Sequence, residues 1–368
     1  MKKLLKKLLK LILILVIIVA LIAGGYVFYV YKSWHRMGDN VDLNPNRHGV
    51  SSYALKNMEY SITSWNIGFG AYEDDYGFFM DGGTQSWAWS KERLVANLKA
   101  IGEKLTDFAS DFYLIQEVDF SSTRSYKVDE RNYVINALPH TSYTFAQNYD
   151  SPFLLYPFKQ PHGANKAGIM TFSRYNIKTA LRRELPIEDS YMKFLDLDRC
   201  YSVNRIPAEE DKEFVLYNLH LSAYTSDGTI ATEQLVMLLK DMQAEYEKGN
   251  YCIAGGDFNK DLLGDSAKYF GKSDKEYTWA QPIPEGTFAG YNIKLVAPLN
   301  EEAPVPSCRN ADGPYHEGQY VLTVDGFLVS DNVEVVKADV VDLQFKYSDH
   351  NPVQMTFILR QAAEPAAQ

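Results

Sequence analysis

The sequence contains little cysteine, with three residues in 368: Cys200, Cys252 and Cys308. This number is too small for the disulfide framework that holds many small secreted domains together. Cys200 and Cys252 fall in strand-like apolar runs, and Cys308 falls in a predicted loop. We therefore expect buried thiols, with a single bridge as the alternative.

Positive charge is also scarce beyond the first ten residues. The chain has 37 lysines and arginines against 47 acidic residues, a formal net charge of −10, and no long basic block follows residue 10. Proteins that bind the nucleic-acid backbone gain affinity by neutralising phosphates, and they usually present a basic face. The negative net charge argues against a protein that binds nucleic acid, although a local basic groove is compatible with nucleic-acid binding. Internal repeats and low-complexity blocks are absent from the sequence as well.

One long apolar run is present, at the N-terminus. Five lysines lie within residues 2–10, and residues 11–31 carry no charge. A helix of about 20 apolar residues crosses a bilayer, and the aromatic residues between 26 and 31 are typical of a membrane interface. A secretory signal peptide is the alternative, but its apolar core is usually only about 7–15 residues long. We expect an uncleaved single-pass anchor in the cell membrane, with the N-terminus in the cytoplasm and the rest of the chain outside.

The pattern of the chain predicts four parts. Residues 1–31 are a lysine-rich stub and transmembrane anchor, 32–58 a juxtamembrane linker, 59–360 a folded domain and 361–368 a disordered tail. Within the folded domain, two segments with helical spacing, residues 90–108 and 229–250, alternate with short, almost continuously apolar strands. This alternation predicts an α/β domain with sheets covered by helices.

Polar side chains stand at or near the ends of these predicted strands. The stretch "YCIAGGDFNKD" (251–261) shows the pattern: an apolar strand meets two glycines, and Asp257 and Asn259 follow. We expect these two side chains to project the same way from extended backbone, with Phe258 between them pointing to the core. In layered α/β folds, ligands bind outside strand ends. Each residue alone is also typical of a turn cap or a core histidine, but the set indicates a site: Asn66, Glu117, Asn218, His220, Asp257, Asn259, Asp325, Asp349 and His350.

In type and order, this set resembles the motifs of the endonuclease/exonuclease/phosphatase superfamily. That superfamily includes pancreatic-type deoxyribonuclease, abasic-site endonucleases, neutral sphingomyelinases and inositol polyphosphate phosphatases. The resemblance covers roughly residues 60–357. It implies a four-layered sandwich of two mixed β-sheets flanked by helices, preceded here by one transmembrane helix. The matching stretches are "SWNIG" around Asn66, "IQEVD" around Glu117, "YNLHLSA" around His220, "GGDFN" around Asp257, "VDGFLVS" around Asp325 and "SDHNPV" around Asp349 and His350.

The resemblance also implies a divalent-metal-dependent hydrolase of phosphoester bonds in residues 59–360. Mg²⁺ is the expected cofactor, with Mn²⁺ or Ca²⁺ as alternatives, because hard cations take oxygen ligands. The implied metal ligands are Asn66, Glu117 and Asp349. The implied catalytic residues are His220, Asp257, Asn259, Asp325 and His350. The candidate substrate contacts are Asn218, Lys166 and Arg199.

The implied roles follow the needs of phosphoester hydrolysis. Asp257 would hold and polarise the attacking water, with Asn259 orienting that water or the phosphate. His350 would act as acid or base or donate to a phosphoryl oxygen, and Asp325 would orient its ring. His220 is a second imidazole, suited to protonating the leaving group. Which histidine is the acid and which the base stays open.

Departures from subfamily patterns narrow the expected substrate. "AGGDFN" and "LTVDGFLVS" differ from the motifs of inositol polyphosphate phosphatases, and His220 stands where abasic-site endonucleases carry tyrosine. Both differences favour the sphingomyelinase and deoxyribonuclease side. We therefore expect a monomeric, membrane-anchored phosphoesterase that acts outside the cytoplasm on a phosphodiester, such as a phospholipid, or on another phosphate ester. A surface nuclease acting on nucleic acid is the alternative, and an inactive binding domain on a membrane stalk is less favoured.

Residues 68–90 are rich in aromatic side chains and also carry an acidic run. Two interpretations stay open for this loop. It packs into the core, or it is exposed beside the site and contacts the substrate or a membrane.

Overall fold

The computed structural model describes residues 2–194, 196–223, 229–271 and 279–360. The tail predicted at 361–368 lies outside these residues. The α-helices are α1 Lys2–Ser33, α2 Lys91–Phe108, α3 Arg131–Ala137, α4 Thr229–Tyr246 and α5 Ala267–Phe270. The β-strands are β1 Val41–Asp42, β2 Glu59–Asn66, β3 Phe112–Asp119, β4 Ser142–Asp150, β5 Lys166–Ser173, β6 Thr179–Glu184, β7 Cys200–Pro207, β8 Glu213–His220, β9 Tyr251–Asp257, β10 Ile293–Val296, β11 Cys308–Arg309, β12 Val321–Leu322, β13 Asp325–Ser330, β14 Val333–Val340 and β15 Val353–Leu359.

Two mixed sheets form the centre of the described structure. One has the strand order β14-β15-β2-β3-β5-β4, and the other has the order β1-β6-β7-β8-β9-β13-β10. Each sheet contains one parallel pair, β2 with β3 and β8 with β9, and the remaining neighbours are antiparallel. A helix joins the strands of each parallel pair, α2 in the first sheet and α4 in the second.

The sheets pack face to face, and the helices cover their outer faces. Side chains such as Ile62, Leu114, Leu216 and Ile253 are fully buried between the sheets. α2 packs against the outer face of the first sheet, and α4 packs against the outer face of the second. This arrangement confirms the predicted four-layered sandwich of two mixed β-sheets flanked by helices.

Local sequence explains where α2 begins and which face it buries. The Ser90 hydroxyl accepts a hydrogen bond from the Arg93 N–H at 3.1 Å, which is the usual cap for a free helical N–H. Leu94, Leu98 and Leu105 follow with helical spacing and are buried. The helix lies where the spacing predicts one.

α1 is of a different kind, because its side chains are almost all exposed. Among the described residues, Lys2–Ser33 is the one helix long and apolar enough to cross a membrane. Its C-terminal end contacts the folded domain, where the Tyr26 hydroxyl donates to the Phe153 carbonyl at 3.2 Å. The Tyr29 hydroxyl accepts from the Phe153 N–H at 3.0 Å.

The aromatic loop 68–90 is mostly core. Tyr72, Tyr76 and Phe78 are buried and pack with the leucines of α2, whereas Trp89 is exposed. Arg93 binds two acids of the loop, Glu73 among them. The three cysteines are free thiols and all are buried.

Candidate active site

A cavity opens where the carboxyl ends of the two parallel strand pairs meet. It encloses about 110 Å³, several times the ~10–15 Å³ that one water needs. Parallel neighbours end at the same edge of a sheet, so β2 and β3 bring their last residues together, and β8 and β9 do the same. Seven of the predicted site residues line the cavity: Glu117, Arg199, His220, Asp257, Asn259, Asp349 and His350.

Glu117 reaches the cavity because β3 is irregular at this position. The register with β5 shifts between Ile115 and Val118, and Glu117 has a φ of 56°, which is unusual for a residue other than glycine. Such a bulge redirects a side chain, and backbone strain of this kind is common at functional sites. Glu117 Oε1 accepts a hydrogen bond from the Asn66 amide nitrogen at 3.0 Å.

Asp257 lies between two imidazoles. Its Oδ2 is 3.4 Å from His220 Nε2 and 3.8 Å from His350 Nε2. The same oxygen accepts a hydrogen bond from the Asn66 amide at 3.1 Å. Burial raises the pKa of Asp257 to about 7, with the positive charge on His350 opposing the shift. A carboxyl group with this pKa exchanges protons readily near neutral pH.

His350 is held by Asp325, at the start of β13. His350 Nδ1 and Asp325 Oδ2 are 2.8 Å apart, and Ser307 donates to the same oxygen at 2.7 Å. Burial opposes charge on this ring, but the neighbouring Asp325, Cys308 and Asp349, with Asp325 first among them, together raise the pKa of His350 well above its ordinary value. This direct contact supports the orienting role predicted for Asp325.

His220, at the end of β8, has the opposite electrostatic character. Burial and the neighbouring Arg199 guanidinium lower the pKa of His220 well below its ordinary value. Among the described residues, its Nδ1 has no hydrogen-bond partner. The site thus places a neutral imidazole and a charged imidazole on either side of one carboxyl group.

The turn after β9 corrects one sequence expectation. Asn259 has a φ of 48°, so it lies in the left-handed region, and the extended pair predicted for Asp257 and Asn259 was wrong. The Asp257 side chain accepts the Asn259 N–H at 2.9 Å, which closes a tight turn. Asn259 still lines the cavity, and Phe258 is buried in the core as expected.

The predicted metal ligands supply hard oxygen donors. Glu117 and Asp349 both line the cavity, and burial raises the pKa of Asp349 to about 6, with the Glu117 charge adding to the shift. A cation between these carboxylates would relieve that repulsion, so the donor set fits Mg²⁺. Asn66 was also predicted as a ligand, but here its amide nitrogen donates to Glu117 and Asp257, and its oxygen accepts the Gly68 N–H.

Asp257, Asp325 and His350 form a second group that could hold a metal ion. One potential ligand atom from each lies within 4.8 Å of the others.

Of the three predicted substrate contacts, Arg199 lines the cavity and the other two do not. Its side chain is 2% exposed, and its Nη2 donates to Asp196 at 2.8 Å. In the part of the chain that the structure describes, Nε and Nη1 have no hydrogen-bond partner. Buried donors without partners are costly unless a ligand satisfies them, so this guanidinium is a candidate anion-binding group.

The other two predicted substrate contacts lie elsewhere. Asn218 is buried between the sheets, where its side chain accepts from Gln116 at 2.7 Å and donates to the Met170 carbonyl at 2.8 Å. Its hydrogen bonds stabilise the core and leave it outside the cavity lining. Lys166 forms a surface ion pair with Asp150 at 3.0 Å and does not line the cavity either.

Sequence reasoning missed two groups at this site. Arg124 lines the cavity, is buried and binds Asp119 through two nitrogens at 2.9 and 3.0 Å. Cys308 also lines it, with its sulfur 3.6 Å from His350 Nε2, and the adjacent Arg309 holds the aromatic loop through the Glu73 and Tyr76 carbonyls. Arg124 and Arg309 lie in the polar stretches "SSTRSY" and "PSCRNAD", where the sequence carries no signal that an arginine is buried.

Comparison with known proteins places the fold. The sequence profile described as "Endonuclease/Exonuclease/phosphatase family" matches residues 63–350. No curated protein sequence matches the chain. Among solved structures, the chain is similar to an endonuclease/exonuclease/phosphatase from Beutenbergia cavernae, with a TM-score of 0.56, 16% identity and coverage of 84% of this chain and 74% of that one.

Two further structures share the fold at similar distance. The chain is similar to ANGEL2, a 2′,3′-cyclic phosphatase, in complex with adenosine-2′,3′-vanadate, with a TM-score of 0.53, 15% identity and coverage of 88% of this chain and 99% of that one. It is also similar to the human Nocturnin catalytic domain with bound sulfate, with a TM-score of 0.50, 17% identity and coverage of 82% and 94%. The family profile spans most of the chain, and this protein therefore belongs to the endonuclease/exonuclease/phosphatase family of phosphoester hydrolases.

Proposed function

We propose that this chain is a membrane-anchored, Mg²⁺-dependent phosphodiesterase whose catalytic domain, residues 59–360, lies outside the cytoplasm. One observation carries the proposal: the buried guanidinium of Arg199, two of whose nitrogens have no hydrogen-bond partner among the described residues, lines the same cavity as the carboxylates of Glu117, Asp257 and Asp349. Such a cavity offers a place for an anionic ester beside a place for a cation. The apolar helix α1, preceded by five lysines, supports the anchor and its orientation.

The proposed arrangement assigns the metal to Glu117 and Asp349, with Asn66 holding Glu117 and Asp257 in place. When bound, Mg²⁺ would neutralise charge on the phosphoryl oxygens. Substrate binding and proton transfer are assigned to side chains of this protein. Arg199 would bind a phosphoryl oxygen through its unpaired N–H groups.

Proton transfer is proposed to run through the three buried groups at the centre. Asp257 accepts a proton from the attacking water, which Asn259 helps to orient. His350, charged through its contact with Asp325, donates a hydrogen bond to the phosphoryl group. Asp257 then passes the proton that it received to the neutral His220, whose Nε2 lies 3.4 Å from Asp257 Oδ2, and the protonated ring gives a proton to the leaving oxygen.

The test is a divalent-cation titration of the full-length protein against four substrate classes: phosphate monoesters, soluble phosphodiesters, phospholipids and DNA. We expect hydrolysis of phosphodiesters, with phospholipids ahead of DNA because of the net charge of −10. DNA as the best substrate would favour the surface nuclease. Activity on none of the four, with metal binding unchanged in Glu117→Ala, would contradict the enzyme proposal.

Glu117→Gln is expected to raise the Mg²⁺ concentration needed for half-maximal activity by about tenfold or more. The amide removes one negative charge from the proposed ligand set but keeps the shape of the side chain. Calorimetric titration of Mg²⁺ provides a measurement of binding that does not depend on turnover. Glu334→Gln is the matched control, because Glu334 is exposed and pairs with Arg360. Equal Mg²⁺ affinities for both variants would rule out Glu117 as a ligand.

Arg199→Met is expected to lower kcat/KM for a phosphodiester by about 10- to 1,000-fold, because it removes buried, charge-assisted donors from the phosphate. Arg199→Lys should recover part of the loss, since it restores the charge without the planar fork. Arg174→Met is the control, because Arg174 is exposed and pairs with Asp111. Steady-state kinetics measure this effect. If kcat/KM of Arg199→Met lies within about twofold of that of the unmodified protein, Arg199 does not bind the substrate.

A further inference from the structure

Apolar side chains are exposed in two segments that both contact the C-terminal end of α1. The group consists of Phe153, Leu155, Tyr156 and Phe158 together with Tyr191, and we name it the interfacial surface. Phe158 is 83% exposed and Tyr191 is 78% exposed. Large apolar patches on a protein surface usually mark a contact with a partner or a membrane.

Hydrogen bonds set the position of this surface relative to the apolar helix. The Tyr26 hydroxyl accepts from the Leu155 N–H at 2.9 Å and donates to the Phe153 carbonyl, and the Tyr29 hydroxyl accepts from the Phe153 N–H. On the other side, the Trp34 indole donates to the Lys193 carbonyl at 3.0 Å. The surface is thus fixed to the last two turns of α1.

This contact defines a depth in the bilayer. The uncharged run 11–31 has 21 residues, about 32 Å at 1.5 Å per residue, which matches a hydrocarbon core of about 30 Å. Tyr26 comes five residues before the end of that run, so it lies about 7 Å inside it. Aromatic groups at an interface bury to about 5–10 Å. Side chains held against Tyr26 therefore reach the headgroup and upper acyl region of the leaflet.

The same surface is continuous with the mouth of the active site. The Tyr156 ring lies 5.7 Å from the Phe79 ring, which lies 5.6 Å from the ring of His162. His162 lines the cavity, and so do Asp196 and Leu197, which follow the Tyr191 segment. A cavity placed in this way faces the leaflet on which the surface rests.

We propose that the interfacial surface inserts into the leaflet where α1 ends and presents the active site to lipid headgroups, so that the substrate is a phospholipid of that leaflet. The proposal rests on the proposed function, since it requires both the anchor and the phosphodiesterase activity. The occupant of the surface is the lipid itself, because the helix that fixes the surface is the one long enough to cross a bilayer in the described part of the chain.

Depth-dependent quenching tests the insertion directly. The protein is reconstituted in phosphatidylcholine vesicles containing a brominated phosphatidylcholine, and single cysteines carry an environment-sensitive fluorophore. The native cysteines are buried, so labelling selects the introduced one. Phe158→Cys reports on the surface and Phe28→Cys on the anchor. Tyr53→Cys is the matched control, since Tyr53 is an exposed aromatic near Pro207, where β7 ends and β8 begins, away from the cavity.

The expected result is strong quenching at positions 28 and 158, by at least about twofold, and little at position 53. Quenching at 28 without quenching at 158 overturns the inserted surface and leaves the anchor standing. Absence of quenching at both positions overturns the anchor, and with it the proposed function. Equal quenching at 53 and 158 also overturns the surface, because it indicates non-specific contact.

Activity provides the second measurement. Tyr156→Ser combined with Phe158→Ser is expected to lower hydrolysis of vesicle phosphatidylcholine by about tenfold, because two interfacial anchors are lost. The rate on soluble bis(p-nitrophenyl) phosphate should stay unchanged. An equal loss on both substrates, or no loss on either, contradicts the proposal. If the unmodified protein hydrolyses only the soluble diester, the proposal that its substrate is a phospholipid is wrong. The quenching experiment then tests by itself whether the interfacial surface inserts into the leaflet.

Discussion

Asp257→Asn is expected to lower kcat by about 10²- to 10⁴-fold, the range that a lost general base usually costs. The amide cannot accept the proton of the attacking water. The variant side chain has only one oxygen, so it keeps one of the two hydrogen bonds that Asp257 accepts from the Asn66 amide and the Asn259 N–H, and it loses the other. We therefore expect a stable protein with a modestly lower unfolding temperature and almost no turnover, measured by steady-state kinetics and thermal unfolding.

Asp261→Asn is the control for this variant. Asp261 is also buried and follows Asp257 by four residues, but its carboxylate accepts from Leu263 and Ser266 within the turn. This change should cost stability and leave kcat within about threefold, because no proton is transferred at that position. A kcat for Asp257→Asn within about tenfold of the unmodified protein would show that another group activates the water.

Gly256→Ala is expected to destabilise the protein by roughly 3 kcal/mol or more, which lowers the unfolding temperature by about 5 °C or more for a domain of this size. A Cβ at this position would lie 2.0 Å from the Leu219 carbonyl oxygen of the neighbouring strand, and the φ of Gly256 is +146°. β8 and β9 would have to separate at the point where His220 and Asp257 face each other. Activity should fall together with stability, and thermal unfolding of the full-length protein in detergent measures the effect.

Gly264→Ala separates backbone strain from the steric clash. Gly264 also has a positive φ, of +75°, but a Cβ there meets no atom within 4 Å. Its expected cost is only about 1 kcal/mol, from the left-handed backbone alone. Equal losses for the two variants would mean that strain, and not the approach of β8, requires glycine at 256.

The sequence was most informative where chemistry and strand ends coincide. Glu117, Asp257 and His350 could be predicted because each follows or precedes an apolar strand, and the fold brings such ends to one edge. Asn218 shows the limit of this reasoning. It shares a strand face with His220, but it lies two residues earlier, which is about 6.6 Å further from the edge. Its side chain therefore meets Gln116 in the core.

Groups contributed by loops could not be predicted in the same way. Arg124 and Cys308 reach the cavity through long connections whose paths depend on tertiary packing, and no periodicity reports such a path. The aromatic loop is similar, because it packs into the core and also supplies Tyr72 and Phe78 to the cavity wall. The core interpretation is confirmed for Tyr72, Tyr76 and Phe78, and a contact of this loop with substrate or membrane stays a prediction.

The division of the site between two sheets has a consequence for protein synthesis. The first sheet contributes Asn66 and Glu117, and the second contributes His220 and Asp257. His350 comes last, immediately before β15 returns to the first sheet beside β2. A nascent chain therefore lacks a complete catalytic centre until its final strand has been made and docked. On the proposed assignment of these residues, hydrolysis therefore requires the finished domain.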